Sequence, residues 1–75
     1  MSPDKMITMA NQIATFFDSQ PGPDQAARVA DHINDFWEPR MRQQLAAHCA
    51  EGGTGLSPLV MDAMKDIRVP DEGAV

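Results

Sequence analysis

The sequence predicts an all-α fold, a small bundle of three to four short helices with a disordered C-terminal tail. Three observations carry that expectation. Apolar residues recur at i, i+3, i+4 and i+7 through most of the chain. No stretch alternates apolar with polar residues, and β-branched residues are scattered, with no run longer than Ile7-Thr8. Proline stands at positions 3, 23, 39 and 58, each next to residues that suit a helix start. The chain has 75 residues, which is room for one domain. Residues 1–69 are expected to form it, with 70–75 as a flexible acidic tail.

The first helix should open at Ser2-Pro3-Asp4, read as N-cap, first helical residue and acidic first turn. Its stripe is Met6, Met9, Ala10, Ile13, Phe16 and Phe17, widened by Ile7 and Ala14. That arc covers about half the helix, wider than one contact face needs. Asp18-Ser19-Gln20-Pro21-Gly22 should end it.

Pro23-Asp24 is expected to start the second helix in the same way. Its apolar side is Ala26, Val29, Ala30, Ile33, Phe36 and Trp37, and its polar side Asp24, Arg28, Asp31 and Asp35. Glu38 precedes a proline, so helical backbone is disfavoured there and the helix should end or kink. Pro39 can open a third helix carrying Met41, Leu45, His48 and Cys49, stopped by Gly52. Ser57-Pro58 repeats the start signal for a short fourth helix with Leu59, Val60, Ala63, Met64 and Ile67. The core expected from these stripes includes Phe16, Phe36 and Trp37 beside the aliphatic residues.

Composition bounds the function. Basic residues number 6 and acidic ones 11, a formal net charge of −5, which argues against nucleic acid and against anionic lipid. The single Cys49 excludes an internal disulfide and the multi-cysteine metal sites. A secreted domain this small would usually carry several bridges, so a reducing, cytoplasmic setting is expected. No signal-peptide pattern follows Met1, and no run approaches the ~20 apolar residues of a membrane helix. Aromatic residues are 5% with no Tyr, leaving little for a sheltered catalytic pocket.

Groups that could carry chemistry read mostly as structure. His32 lies on the flank of the second helix and His48 beside Cys49, and adjacent helical residues point about 100° apart, so His48 and Cys49 make no dyad. Asp31/Asp35 and Asp62/Asp66 are i, i+4 carboxylate pairs near Arg28 and Lys65, as on a solvated face. Gly52-Gly53-Thr54-Gly55 lacks the Lys-Ser/Thr and the preceding strand of a phosphate loop, which leaves a helix connection. The most unusual stretch is Phe36-Trp37-Glu38-Pro39-Arg40-Met41-Arg42. It gathers the only Trp with two Arg, residue types that dominate protein interfaces. Phe36 and Trp37 could equally be core, with the arginines solvated. Six Met residues and the wide first stripe add adaptable apolar surface.

Three segments together resemble the delta subunit of NAD-dependent, molybdenum-containing formate dehydrogenase. They are Met9-Ala10-Asn11-Gln12-Ile13-Ala14 with Phe16-Phe17, then Val29-Ala30-Asp31-His32-Ile33 through Phe36-Trp37 to Pro39-Arg40-Met41-Arg42, then Gly52 to Leu59. The resemblance covers roughly residues 6–64. It implies a bacterial cytoplasmic complex that interconverts formate and carbon dioxide with NAD, its large subunits carrying molybdenum cofactor, iron–sulfur clusters and FMN. The delta subunit would be a non-catalytic accessory chain binding no cofactor itself and docking on the large (alpha) subunit. The positions carried over are Asn11, His32, Trp37, Pro39, Arg40 and Arg42. With Phe17 on the first helix, His32, Trp37, Pro39, Arg40 and Arg42 are the expected partner-binding residues. A dissociable assembly chaperone and a self-associating helical module are the competing readings.

Overall fold

Ser2 caps the first helix as its sequence predicts: its Oγ accepts from the Lys5 amide at 3.2 Å, with Pro3 in the first turn. In this computed structural model residues 2–69 are described. Met1 and the expected acidic tail, 70–75, lie outside them. Four helices follow in order: α1 (Pro3–Asp18), α2 (Gln25–Phe36), α3 (Pro39–Ala50) and α4 (Pro58–Ala63), the last running into a 3₁₀ turn at Met64–Asp66. No strand occurs among the described residues.

The start of α2 departs from expectation. Pro23 is not its first residue; it belongs to the turn, and Asp24 takes the N-cap place in left-handed backbone (φ 66°) with no side-chain cap bond. Gly22 (φ 117°) and Asp24 together reverse the chain before the helix can begin, and Asp is one of the few side chains that tolerates such backbone. Gln25 closes the turn in place of a cap, its Nε2 donating to the carbonyls of Gln20 (3.0 Å) and Asp18 (3.3 Å).

α2 stops at Phe36 because Trp37 and Glu38 are extended before Pro39, and Pro39 then opens α3. α3 ends in a Schellman motif: the Gly53 amide donates to His48 O at 3.0 Å and the Gly52 amide to Cys49 O at 3.1 Å, with Gly52 at φ 113°. Ser57 caps α4, its Oγ accepting from the Val60 amide at 3.3 Å.

α1, α2 and α4 pack against one another, and α3 packs on α1. The core they enclose is thin: Val29, Ile33, Leu45, Val60 and Met6 are its large fully buried side chains. Ala10, Ala14, Ala30 and Ala63 are buried among them and let the helices approach closely. Trp37 is core, at 5% exposure. Phe16 and Phe36 are not: they are 58% and 73% exposed, contrary to the core expected from the stripes. The stripes are wider than the neighbours that cover them, so their outer edges stay in water.

Candidate interaction surface

The two uncovered phenylalanines belong to a continuous row of rings. Phe16 meets Phe17 edge-on at 5.1 Å between centroids, and Phe17 meets His32 at 6.2 Å. His32 in turn lies 4.7 Å from Phe36, tilted by 34°. The row crosses from the end of α1 to the end of α2. His32 and Phe36 share a face because they are four residues apart on one helix. Phe16 and Phe17 reach it because they end the broad stripe of α1.

Beside the row runs an open groove of about 630 Å³. Met9, Gln12 and Ile13 of α1 line one side, His32 and Phe36 of α2 the other, and Trp37, Glu38 and Met41 its end. Apart from Gln12, Glu38 and the His32 ring, the lining is apolar and includes the flexible thioethers of Met9 and Met41.

The residues expected to bind a partner fall into three groups. Phe17, His32 and Trp37 border this face, the first two half-buried and the third buried. Pro39 and Arg40 are exposed in the first turn of α3. Arg42 turns inward. Its Nη1 donates to Asn34 O at 2.9 Å and to Trp37 O at 3.2 Å, covering carbonyls at the C-terminal end of α2, while its Nε is buried without a hydrogen-bond partner.

Asn11 also has a role within the chain. Its Nδ2 donates to Gly55 O at 2.8 Å and its Oδ1 accepts from the Ser57 amide at 2.9 Å, so it holds the glycine loop to α1. Asn34 does the same at the far end of α4, donating to Asp66 O at 3.1 Å and accepting from the Arg68 amide at 2.7 Å. Reasoning from sequence missed Asn34, because no local spacing signals a bond across more than thirty residues. It also missed Phe16 and Phe36 as surface residues, for which the excess width of the stripes was the available signal.

The remaining polar groups fit their structural readings. Lys65 and Asp62 pair at 3.4 Å on an exposed face. His48 Nε2 lies 2.7 Å from Thr54 O, bracing the glycine loop. Burial raises the Cys49 thiol above its ordinary value of 9.0, which makes it a poor nucleophile. Among the described residues no three His, Cys, Asp or Glu side chains converge to hold a metal ion, and no helix is long and apolar enough to cross a membrane.

Residues 5–64 match the family model described as the NADH-dependent formate dehydrogenase delta subunit, FdsD. The match runs from α1 through the end of α4 and takes in the ring row, the groove and the glycine loop. No curated protein matches the chain. With its four helices and most of its length inside that match, the chain belongs to the delta-subunit family of NADH-dependent formate dehydrogenase.

Proposed function

We propose that this chain is a non-catalytic accessory subunit that docks on the large (alpha) subunit of a cytoplasmic bacterial formate dehydrogenase and supports its assembly or stability. The observation that carries the reading is the uncovered aromatic face, with Phe16 at 58% and Phe36 at 73% exposure beside an apolar groove. Single exposed apolar residues are ordinary, and a continuous row of rings against a groove supports reading this face as a contact surface. Membership of the delta-subunit family supplies the complex on which such a surface would close.

In this reading molybdenum cofactor, iron–sulfur clusters, FMN and NAD belong to the other subunits. The donors of this chain do not fit an iron–sulfur cluster, since Cys49 is its one cysteine. Its contribution is apolar surface, which stabilises a partner by mass action when it binds the folded form alone.

Co-expression of the tagged chain with the enzyme's other subunits tests this. The expected result is a stoichiometric chain in the active complex and a lower yield of intact complex when the chain is omitted. Presence on immature large subunit but absence from active enzyme would instead identify a dissociable chaperone. Full yield and activity without the chain would remove the supporting role.

A further inference from the structure

We infer that the groove between α1 and α2 receives an amphipathic helix of the large subunit whose apolar stripe is bordered by lysine or arginine. This rests on the docking reading above and adds the face used and the chemistry of its occupant.

The shape suits a helix. Two helix faces wall the groove, with Met9 and Ile13 on one and His32 and Phe36 on the other, and Trp37 closes its end. An amphipathic helix fills such a trough with side chains at i, i+3 or i+4 and i+7. Among the described residues there is no strand edge to offer the alternative of strand addition.

The charge selects among helices. Glu38 lines the groove, and Asp31 and Asp35 are exposed on α2, one and three residues from His32. Among the described residues no salt bridge joins Asp31, Asp35 or Glu38 to a cation. Arg28 is turned back toward Gly22, its Nη2 3.8 Å from where a Cβ on that glycine would stand. Arg42 is engaged with the carbonyls of Asn34 and Trp37. Arg40 is exposed in the first turn of α3, and Arg68, whose amide donates to Asn34 Oδ1, is exposed beyond α4. A partner helix with basic borders answers that field, steering encounter and fixing register.

A second copy of this chain answers it badly. A two-fold contact through this face would bring the acidic residues of both copies into one interface, in a chain of net charge −5. Residues beyond Val69 would bring Asp71 and Glu72, again of the same sign.

The test uses the full chain co-expressed with the enzyme's other subunits. Phe36 is replaced by the photo-crosslinker p-benzoylphenylalanine, and in a parallel sample Lys65, outside the groove, is replaced instead. The expected result is a crosslink from position 36 into a helix bordered by Lys or Arg, and none from position 65. The double variant Asp35→Lys/Glu38→Lys, its helical content checked by circular dichroism, should lower retention in the complex at least about tenfold. Crosslinks from position 36 into a segment without Lys or Arg, or into a second copy of this chain, would overturn the inference while leaving the accessory role intact. So would crosslinks from position 65 alone, or unchanged retention of the double variant. Failure of the unmodified chain to co-purify would overturn the accessory role, and the inference with it.

Discussion

Asn11 on α1 holds Gly55 and Ser57 at once, donating to the Gly55 carbonyl at 2.8 Å and accepting from the Ser57 amide at 2.9 Å. One amide side chain thus fixes both the exit of the glycine loop and the N-cap of α4. A helix of six residues is too short to persist by itself, so its position depends on such anchors. Asn11→Ala should destabilise the fold by about 1–3 kcal/mol, since two backbone groups lose their partner. Asn11→Asp should be no better, because it keeps the acceptor but sets a carboxylate against the Gly55 carbonyl. Thermal melts followed by circular dichroism check both. For a domain of this size each kcal/mol corresponds to roughly 4–8 °C.

Arg42 is a second internal anchor, and its loss should register as lost stability even without a partner. Arg42→Ala uncovers the carbonyls of Asn34 and Trp37 at the joint between α2 and α3, and should cost about 1.5–3 kcal/mol. Arg42→Lys should recover part of this, since a single ammonium lacks the planar fork of guanidinium. Urea titration of the isolated chain measures it. Equal stability of Arg42→Ala and the parent would show that the inward bonds contribute nothing.

Gly53 and Gly52 should respond differently to alanine although both have positive φ. A Cβ at Gly53 would run into the Met61 thioether, with Cε 2.8 Å away, whereas one at Gly52 meets nothing within 4 Å. Gly52→Ala, at φ 113° and outside the left-handed well, should cost about 1–3 kcal/mol for backbone conformation alone. Gly53→Ala, at φ 65°, should cost about 1–2 kcal/mol for backbone, plus the amount needed to displace Met61. The double variant Gly53→Ala/Met61→Ala should show positive coupling, recovering that steric part, in a double-mutant cycle of unfolding free energies.

Cys49 should alkylate slowly at neutral pH. Burial raises its pKa above 9.0, so less thiolate is present than in an unfolded chain at the same pH. The sign for stability follows. Below the unfolded thiol's pKa both states are protonated and folding is unaffected. As pH climbs from there through the raised folded value, the unfolded chain loses its proton first and stability falls. Iodoacetamide labelling rates against pH, for the native chain and for the chain in denaturant, give the two midpoints. A native midpoint at or below the denatured one would contradict the burial.

Phe36 and Ile33 separate surface from core on one helix. Phe36→Ser, at a side chain 73% exposed, should leave stability within about 0.5 kcal/mol of the parent while weakening association with the enzyme. Ile33→Ala, at a fully buried side chain, should cost about 2–5 kcal/mol. Trp37→Ala would be a poor probe of docking, because the same side chain is core.

Helix starts marked by local chemistry were legible in the sequence. Ser2-Pro3, Glu38-Pro39 and Ser57-Pro58 each open a helix as read, because the cap, the fixed proline φ and the extended residue before proline act within three positions. Gly22-Pro23-Asp24 carries the same local mark and failed, since the chain had to reverse there and the turn consumed the proline. Aromatic burial was legible only in part. Trp37 is inside and Phe36, its neighbour, is outside, a division set by which helices lie opposite. The clamps at Asn11, Asn34 and Arg42 were not legible as contacts, because they join residues that only the finished packing brings together.

The position of Trp37 has a practical optical consequence. The chain has one tryptophan and no tyrosine, so excitation in the near ultraviolet addresses a single indole. That indole is 5% exposed, sits where α2 ends, and closes the end of the groove. Its emission colour should therefore shift to longer wavelength when the core opens. A partner seated in the groove, with the core intact, should change its intensity and its access to quenchers. A single built-in chromophore can thus distinguish unfolding from docking without any label.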